Sequence, residues 1–174
     1  MTDIERASPE DAGEILTLQR AAYVTEAQMY GDPFITPLVE SQEQLRRAIE
    51  TGVVLKAVEG ARVVGSVRGR LPDPLGQEGV QARTGRREAP SSGPTCLVAR
   101  LVVAPDRQGG GIGTALLEAL HEAVPEAVAF DLFTGHLSEG NLRLYRRLGY
   151  RETRRERVQD HLTLIHMRRA ASPR

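Results

Sequence analysis

Residues 101–117 of this 174-residue chain read Leu-Val-Val-Ala-Pro-Asp-Arg-Gln-Gly-Gly-Gly-Ile-Gly-Thr-Ala-Leu-Leu, and their chemistry is that of an anion cradle. A β-branched apolar run stops at Pro105, three glycines follow at Gly109, Gly110 and Gly111, and a helical apolar pattern begins at Ile112. The first N–H groups of such a helix have no partner within it and carry the positive end of its dipole. Glycine lacks the Cβ that would hold a phosphate away from those amides. Three loops compete for this assignment. A triphosphate loop requires G-x-x-x-x-G-K-[ST], and the chain's only lysine, Lys56, lies elsewhere. A dinucleotide loop requires G-x-G-x-x-G, and Leu116 stands where the third glycine belongs. What fits is Q/R-x-x-G-x-G, written here Gln108-Gly109-Gly110-Gly111-Ile112-Gly113 and followed by Thr114. A glycine-rich turn without a ligand is the plain alternative.

The second constellation is Asn141-Leu-Arg-Leu-Tyr145-Arg-Arg-Leu-Gly149-Tyr150. Asn141 and Tyr145 are four residues apart and share a helical face. A phenol there can give a proton or a hydrogen bond to a leaving group; it can equally pack against a sheet with Leu142 and Leu148. Asn141 can bind a ligand or simply cap its helix. Arg107, Arg143, Arg146 and Arg147 are of the type that grips phosphate bidentately, and also of the type that covers a solvated face.

The elements that must position these residues follow from the pattern. Ile4–Ala7 reads as a strand, and Ser8-Pro9-Glu10-Asp11 starts a helix carrying Ile15, Leu18 and Ala22. Residues 29–40 hold two prolines and read as a loop; Ser41 caps a second helix that stops at Gly52. Residues 53–58 and 62–71 form a hairpin, and residues 72–94, rich in proline and glycine, read as a long mobile insertion. Strand 96–103, the glycine loop, a helix ending near Pro125, strand 128–134, helix 141–148 and a closing antiparallel pair complete the order β-α-α-β-β-β-α-β-α-β-β.

Length and composition narrow the classes. The chain is read as a single domain over residues 1–174, with 40% hydrophobic and 26% charged residues. With 23 basic and 23 acidic residues the net charge is zero, so no global field favours nucleic acid or an anionic membrane. Cys96 is alone, so it makes no internal disulfide; no His/Cys cluster has metal-ligand spacing, so no metal is expected. No signal core and no run of about 18 apolar residues appears, which by elimination gives a cytoplasmic expectation.

The loop and the second constellation together resemble the GNAT superfamily of acyl-CoA-dependent N-acyltransferases, and the order of elements matches it along nearly the whole chain except at 72–94. The resemblance implies an α+β fold of three layers, a mixed, mostly antiparallel central sheet flanked by helices. It implies acetyl-CoA as co-substrate, an amine acceptor and direct transfer without a covalent enzyme intermediate; relatives often form homodimers. The pyrophosphate would lie on residues 109–114. The pantetheine arm would run beside Leu101, Val102 and Val103, with Val103 N–H as oxyanion donor. The tyrosine matching Tyr145 protonates the departing thiolate in the family, and the asparagine matching Asn141 holds the pantetheine arm or the substrate backbone.

Many relatives carry a catalytic glutamate on the strand before the glycine loop. Residues 95–104 contain no acid, and Arg100 is their only charge. The candidate bases are Glu26, Asp131 and His136. Tyr23, Glu26, Tyr30, Asp32 and Glu40 are candidates for recognising a cationic or hydroxylated amine, together with residues 72–94 and 134–140. An acyl-CoA-binding sensor that has lost catalysis is the competing class, and transfer of an acyl group other than acetyl a third.

Overall fold

A computed structural model describes residues 1–72 and 93–172 of the chain. The insertion expected over 72–94 therefore lies, but for Pro72, Gly93 and Pro94, outside the described residues.

Among the described residues, seven strands form one mixed sheet: β1 (Asp3–Arg6), β2 (Val53–Glu59), β3 (Arg62–Arg70), β4 (Thr95–Val103), β5 (Ala129–Gly135), β6 (Arg151–Gln159) and β7 (Leu162–Ala170). The order across the sheet is β1-β2-β3-β4-β5-β7-β6. Every neighbouring pair is antiparallel except β4 and β5, which are parallel. Among the described residues, five α-helices flank the sheet: α1 (Ala12–Tyr30), α2 (Thr36–Val39), α3 (Gln42–Thr51), α4 (Ile112–Ala123) and α5 (Glu139–Arg147). The α+β class expected from the resemblance is the class observed.

The two faces are read from β3. Gly65 and Gly69 lie under Leu116 and Leu120 of α4, whereas Arg68, on the alternate face, meets Gln19 of α1. The helix α4 is seated by Ile112, Leu116, Leu117 and Leu120, all buried at i, i+4, i+5 and i+8. α1 buries Ile15, Leu16, Leu18 and Gln19 on the other side.

Two local expectations change. The stretch 29–40 is not one loop: α1 continues to Tyr30 and stops where Gly31 turns left-handed at φ 63°, and residues 36–39 form the short α2 with proline in its first turn. Asn141 is not a helix cap, because α5 already begins at Glu139.

Candidate active site

β4 and β5 pair only at Thr95–Leu97 against Ala129–Asp131, and beyond that they part. The parting edge of β4 is shaped by a bulge. Ser66 faces Val102 and Arg68 faces Ala99, so Val67 alone opposes both Arg100 and Leu101. Arg100 takes the left-handed conformation, φ 54°, the only non-glycine described residue to do so. Beyond the bulge, Ala104 N–H donates to Val64 carbonyl at 2.8 Å. By strand alternation the neighbouring Val103 N–H and carbonyl face the gap instead. That carbonyl accepts from Gln108 Nε2 at 3.3 Å.

At the mouth of the gap, Gly111 is the residue before α4, with φ 85° and no side-chain cap on the helix. The leading N–H groups of α4 therefore remain free for a ligand. A Cβ at Gly109 or Gly111 would meet no protein atom, so the space over this turn is open, and both residues have φ of 80° or more, which disfavours any side chain. This is the geometry an anion requires, and the residues fit a pyrophosphate. Arg107 lies beside it but is held by Glu59 at 2.7 Å and by Asp106.

The cradle, the gap and part of α1 line one cavity of about 430 Å³. Leu101, Val102, Val103, Gln108, Gly109, Gly111, Ile112, Gly113, Thr114, Asn141 and Glu26 all line it, joined by Tyr23, Arg107, Arg143 and Arg147. Gly110, Tyr145 and Asp131 do not.

Glu26 and Asn141, 115 residues apart, meet there: Asn141 Nδ2 donates to Glu26 Oε1 at 3.2 Å. Burial pushes the Glu26 carboxyl above its ordinary range, and Asn141's hydrogen bond only partly offsets this. The contact is held by Tyr30, at the end of α1. Its hydroxyl lies 3.1 Å from Ser138 Oγ and accepts Leu137 N–H at 3.0 Å. Its ring occupies the space a Cβ at Gly135 would need.

Tyr145 is buried behind the cavity wall, edge-on to Tyr150 at 5.8 Å. Burial, reinforced by Tyr23 and Glu26, raises its phenol far above the usual value, so it keeps its proton. Burial also pushes Tyr23 up to about 12. Asp131 is gripped at both oxygens by Arg168, at 2.7 and 2.9 Å. His136 Nδ1 accepts Thr163 N–H at 3.1 Å. Of the other residues read as recognising an amine, Asp32 caps the Phe34 N–H at 2.8 Å and Glu40 is clamped by Arg68 at 2.6 and 2.7 Å. The roles of Arg68 and of the Tyr30 hook carry no local sequence signal, because each depends on a partner brought in by the sheet.

Comparison with known proteins gives the family and the fold. Residues 82–171 match the family model described as an acetyltransferase (GNAT) domain. Among solved structures, the protein smu.2055 from Streptococcus mutans superposes with a TM-score of 0.74 at 16% identity, over 98% of this chain and 99% of that one. The ribosomal-protein-S18-alanine N-acetyltransferase from Escherichia coli gives 0.72 at 15% identity, over 100% and 96%. The PaiA N-acetyltransferase from Thermoplasma acidophilum, solved with coenzyme A, gives 0.66 at 14% identity, over 95% and 98%. No curated protein matches the chain by sequence.

Proposed function

Because this chain belongs to the GNAT acetyltransferase family, we propose that it moves the acetyl group of acetyl-CoA directly onto an amine, with both substrates bound at once. We read residues 1–174 as one such domain. The observation that carries the reading is the single cavity joining the uncapped start of α4, the β4–β5 gap and the Glu26–Asn141 pair. The α4 amides would hold the pyrophosphate. Val103 N–H, facing the gap, would take the oxygen that gains charge when the thioester is attacked.

An amine of pKa about 10.4 is almost wholly protonated at pH 7, so a base must take its proton. Glu26 is that base in this reading, since it lines the cavity and burial raises its proton affinity. Asp131 is not assigned the role, since both its oxygens are paired with Arg168. Tyr145 would donate a hydrogen bond to the departing sulfur. Full proton transfer from a phenol shifted so far upward to a thiolate whose acid has a pKa of about 8.5 is uphill, so stabilisation of the thiolate is its part.

A second reading, acyl-CoA binding without transfer, is favoured by one observation: Tyr145 lies behind the cavity wall. Thiol release from acetyl-CoA, measured across a panel of amines, separates the two. Transfer predicts release with at least one amine and a kcat reduced about tenfold or more by Tyr145→Phe. Coenzyme A binding with no release from any amine defeats it.

A further inference from the structure

The cavity holds more positive charge than a pyrophosphate on the α4 amides accounts for. Among its described lining residues Glu26 is the one acid, set against Arg107, Arg143 and Arg147. Arg107 is committed to Glu59 and Asp106. The other two stand on α5, and the packing of that helix fixes the way they face. Leu144 reaches the start of α4: its Cδ2 lies 3.3 Å from where a Cβ on Gly113 would stand. Gly140, Arg143, Leu144 and Arg147 recur at helical spacing as one stripe, and all four line the cavity. Leu144 therefore seats the stripe against the cradle, with one guanidinium before it and one after.

Neither guanidinium is spoken for by the fold. Among the described residues Arg143 meets only Glu139, at 3.8 Å, with side chains 70% and 80% exposed, and an ion pair so exposed is worth little. Arg147 has no side-chain hydrogen bond or ion pair among the described residues. Asn141, which meets Glu26, lies six residues before Arg147, about 9 Å along the helix axis. The cavity is thus divided along its length. The carboxylate lies by the start of α5, and the uncommitted positive charge runs toward its end.

Coenzyme A bears one phosphate beyond its pyrophosphate, a monoester on the 3′ oxygen of the ribose, with a charge of about −1.5 to −2 at pH 7. We propose that Arg143 and Arg147 bind this 3′-phosphate, so that the site selects coenzyme A over its dephospho form. The assignment rests on the reading of an acyl-coenzyme A as co-substrate, and it adds the residues that choose the nucleotide. Guanidinium suits the task, since its fixed fork of donors matches two phosphate oxygens at once.

The test is calorimetric titration of the whole chain with coenzyme A and with 3′-dephospho-coenzyme A in low-salt buffer. The wild type should bind coenzyme A about tenfold or more tighter than the dephospho form. Arg147→Met should cut that ratio to about threefold or less, and Arg143→Met combined with Arg147→Met should bring it close to one, while affinity for the dephospho form changes less than about twofold. Arg147→Lys should keep part of the preference, because a point charge still attracts phosphate. Arg146→Met removes the same charge from the same helix but off the cavity lining, and should leave the ratio at its wild-type value. Added salt should shrink the wild-type ratio, since exposed charges are screened. The melting temperature without ligand should be the same for all these variants, because none of the three arginines is buried.

A ratio near one in the wild type, a ratio that survives the double substitution, or an equal loss in Arg146→Met overturns the assignment. These outcomes are separable from failure of the acetyl-transfer reading. Equal binding of both nucleotides with thiol release intact defeats the assignment and leaves transfer standing. An arginine-dependent ratio without thiol release from any amine defeats transfer and leaves the assignment standing. Binding of neither nucleotide defeats both.

Discussion

Glu26 carries two opposed requirements. Its carboxyl is raised by burial, so the folded state prefers it protonated. A raised pKa contributes stability below the unfolded value of 4.5 and loses it as pH rises through the folded value. At neutral pH the ionised form is therefore a burden on the fold and, in the acetyl-transfer reading, an asset to the reaction. Glu26→Gln should cut kcat/KM by roughly 10²- to 10⁴-fold and erase the acidic limb of the pH–rate profile, which in the wild type should fall with a midpoint above 4.5. The same variant should melt at an equal or higher temperature at pH 7, because a neutral amide can still accept the Asn141 hydrogen bond. A variant that loses stability and keeps its rate would remove Glu26 from the mechanism.

Elements hold the other half of the site, and here the start of α4 decides. Gly111→Val places a branched side chain at φ 85°, in the open space over the turn. The strain of about 1–2 kcal/mol is bearable for the fold; the obstruction of the cradle is not bearable for a phosphate. Coenzyme A at a hundredfold its Kd should stabilise the wild type by about 2.7 kcal/mol, several degrees in Tm, and the variant by close to nothing. An undiminished shift would move the ligand elsewhere. The strand-loop-helix around this turn was legible in the sequence because glycine, proline and apolar periodicity are local signals. The end of α1 departs from expectation for the same reason: Pro33 and Pro37 suggest a loop, while the helix runs to Tyr30 and stops at the left-handed Gly31. The Glu26–Asn141 contact and the β4 bulge had no local signature. One joins residues 115 apart and the other arises from register between two strands.

At the scale of the whole molecule, acid should loosen the fold in two stages. His121 on α4 contacts the Phe130 ring and lies 2.7 Å from the Tyr150 hydroxyl. Burial, aided by the charge of Arg169, lowers its pKa from 6.5 to about 4. Between those values the unfolded chain takes up a proton that the folded chain refuses, so this contribution is complete above 6.5 and declines as pH falls toward 4. Asp11 and Glu40, whose carboxyls lie below their ordinary range, add their losses only lower still. Melting temperatures across pH 7 to 4.5 should fall in the wild type and stay flatter in His121→Gln; parallel curves would exclude His121 as the cause.

The ring of Tyr30 lying across Gly135 has a wider meaning. The helix that bears Glu26 is fastened to the β5–α5 side of the cavity by an aromatic hook, and the hook needs a strand bare at that point. Gly135 is not part of the cavity lining, yet a methyl group added there would displace α1 and with it the Glu26 carboxylate that the acetyl-transfer reading makes the base. Damage of this kind would masquerade as lost chemistry in an enzyme whose ligands still dock.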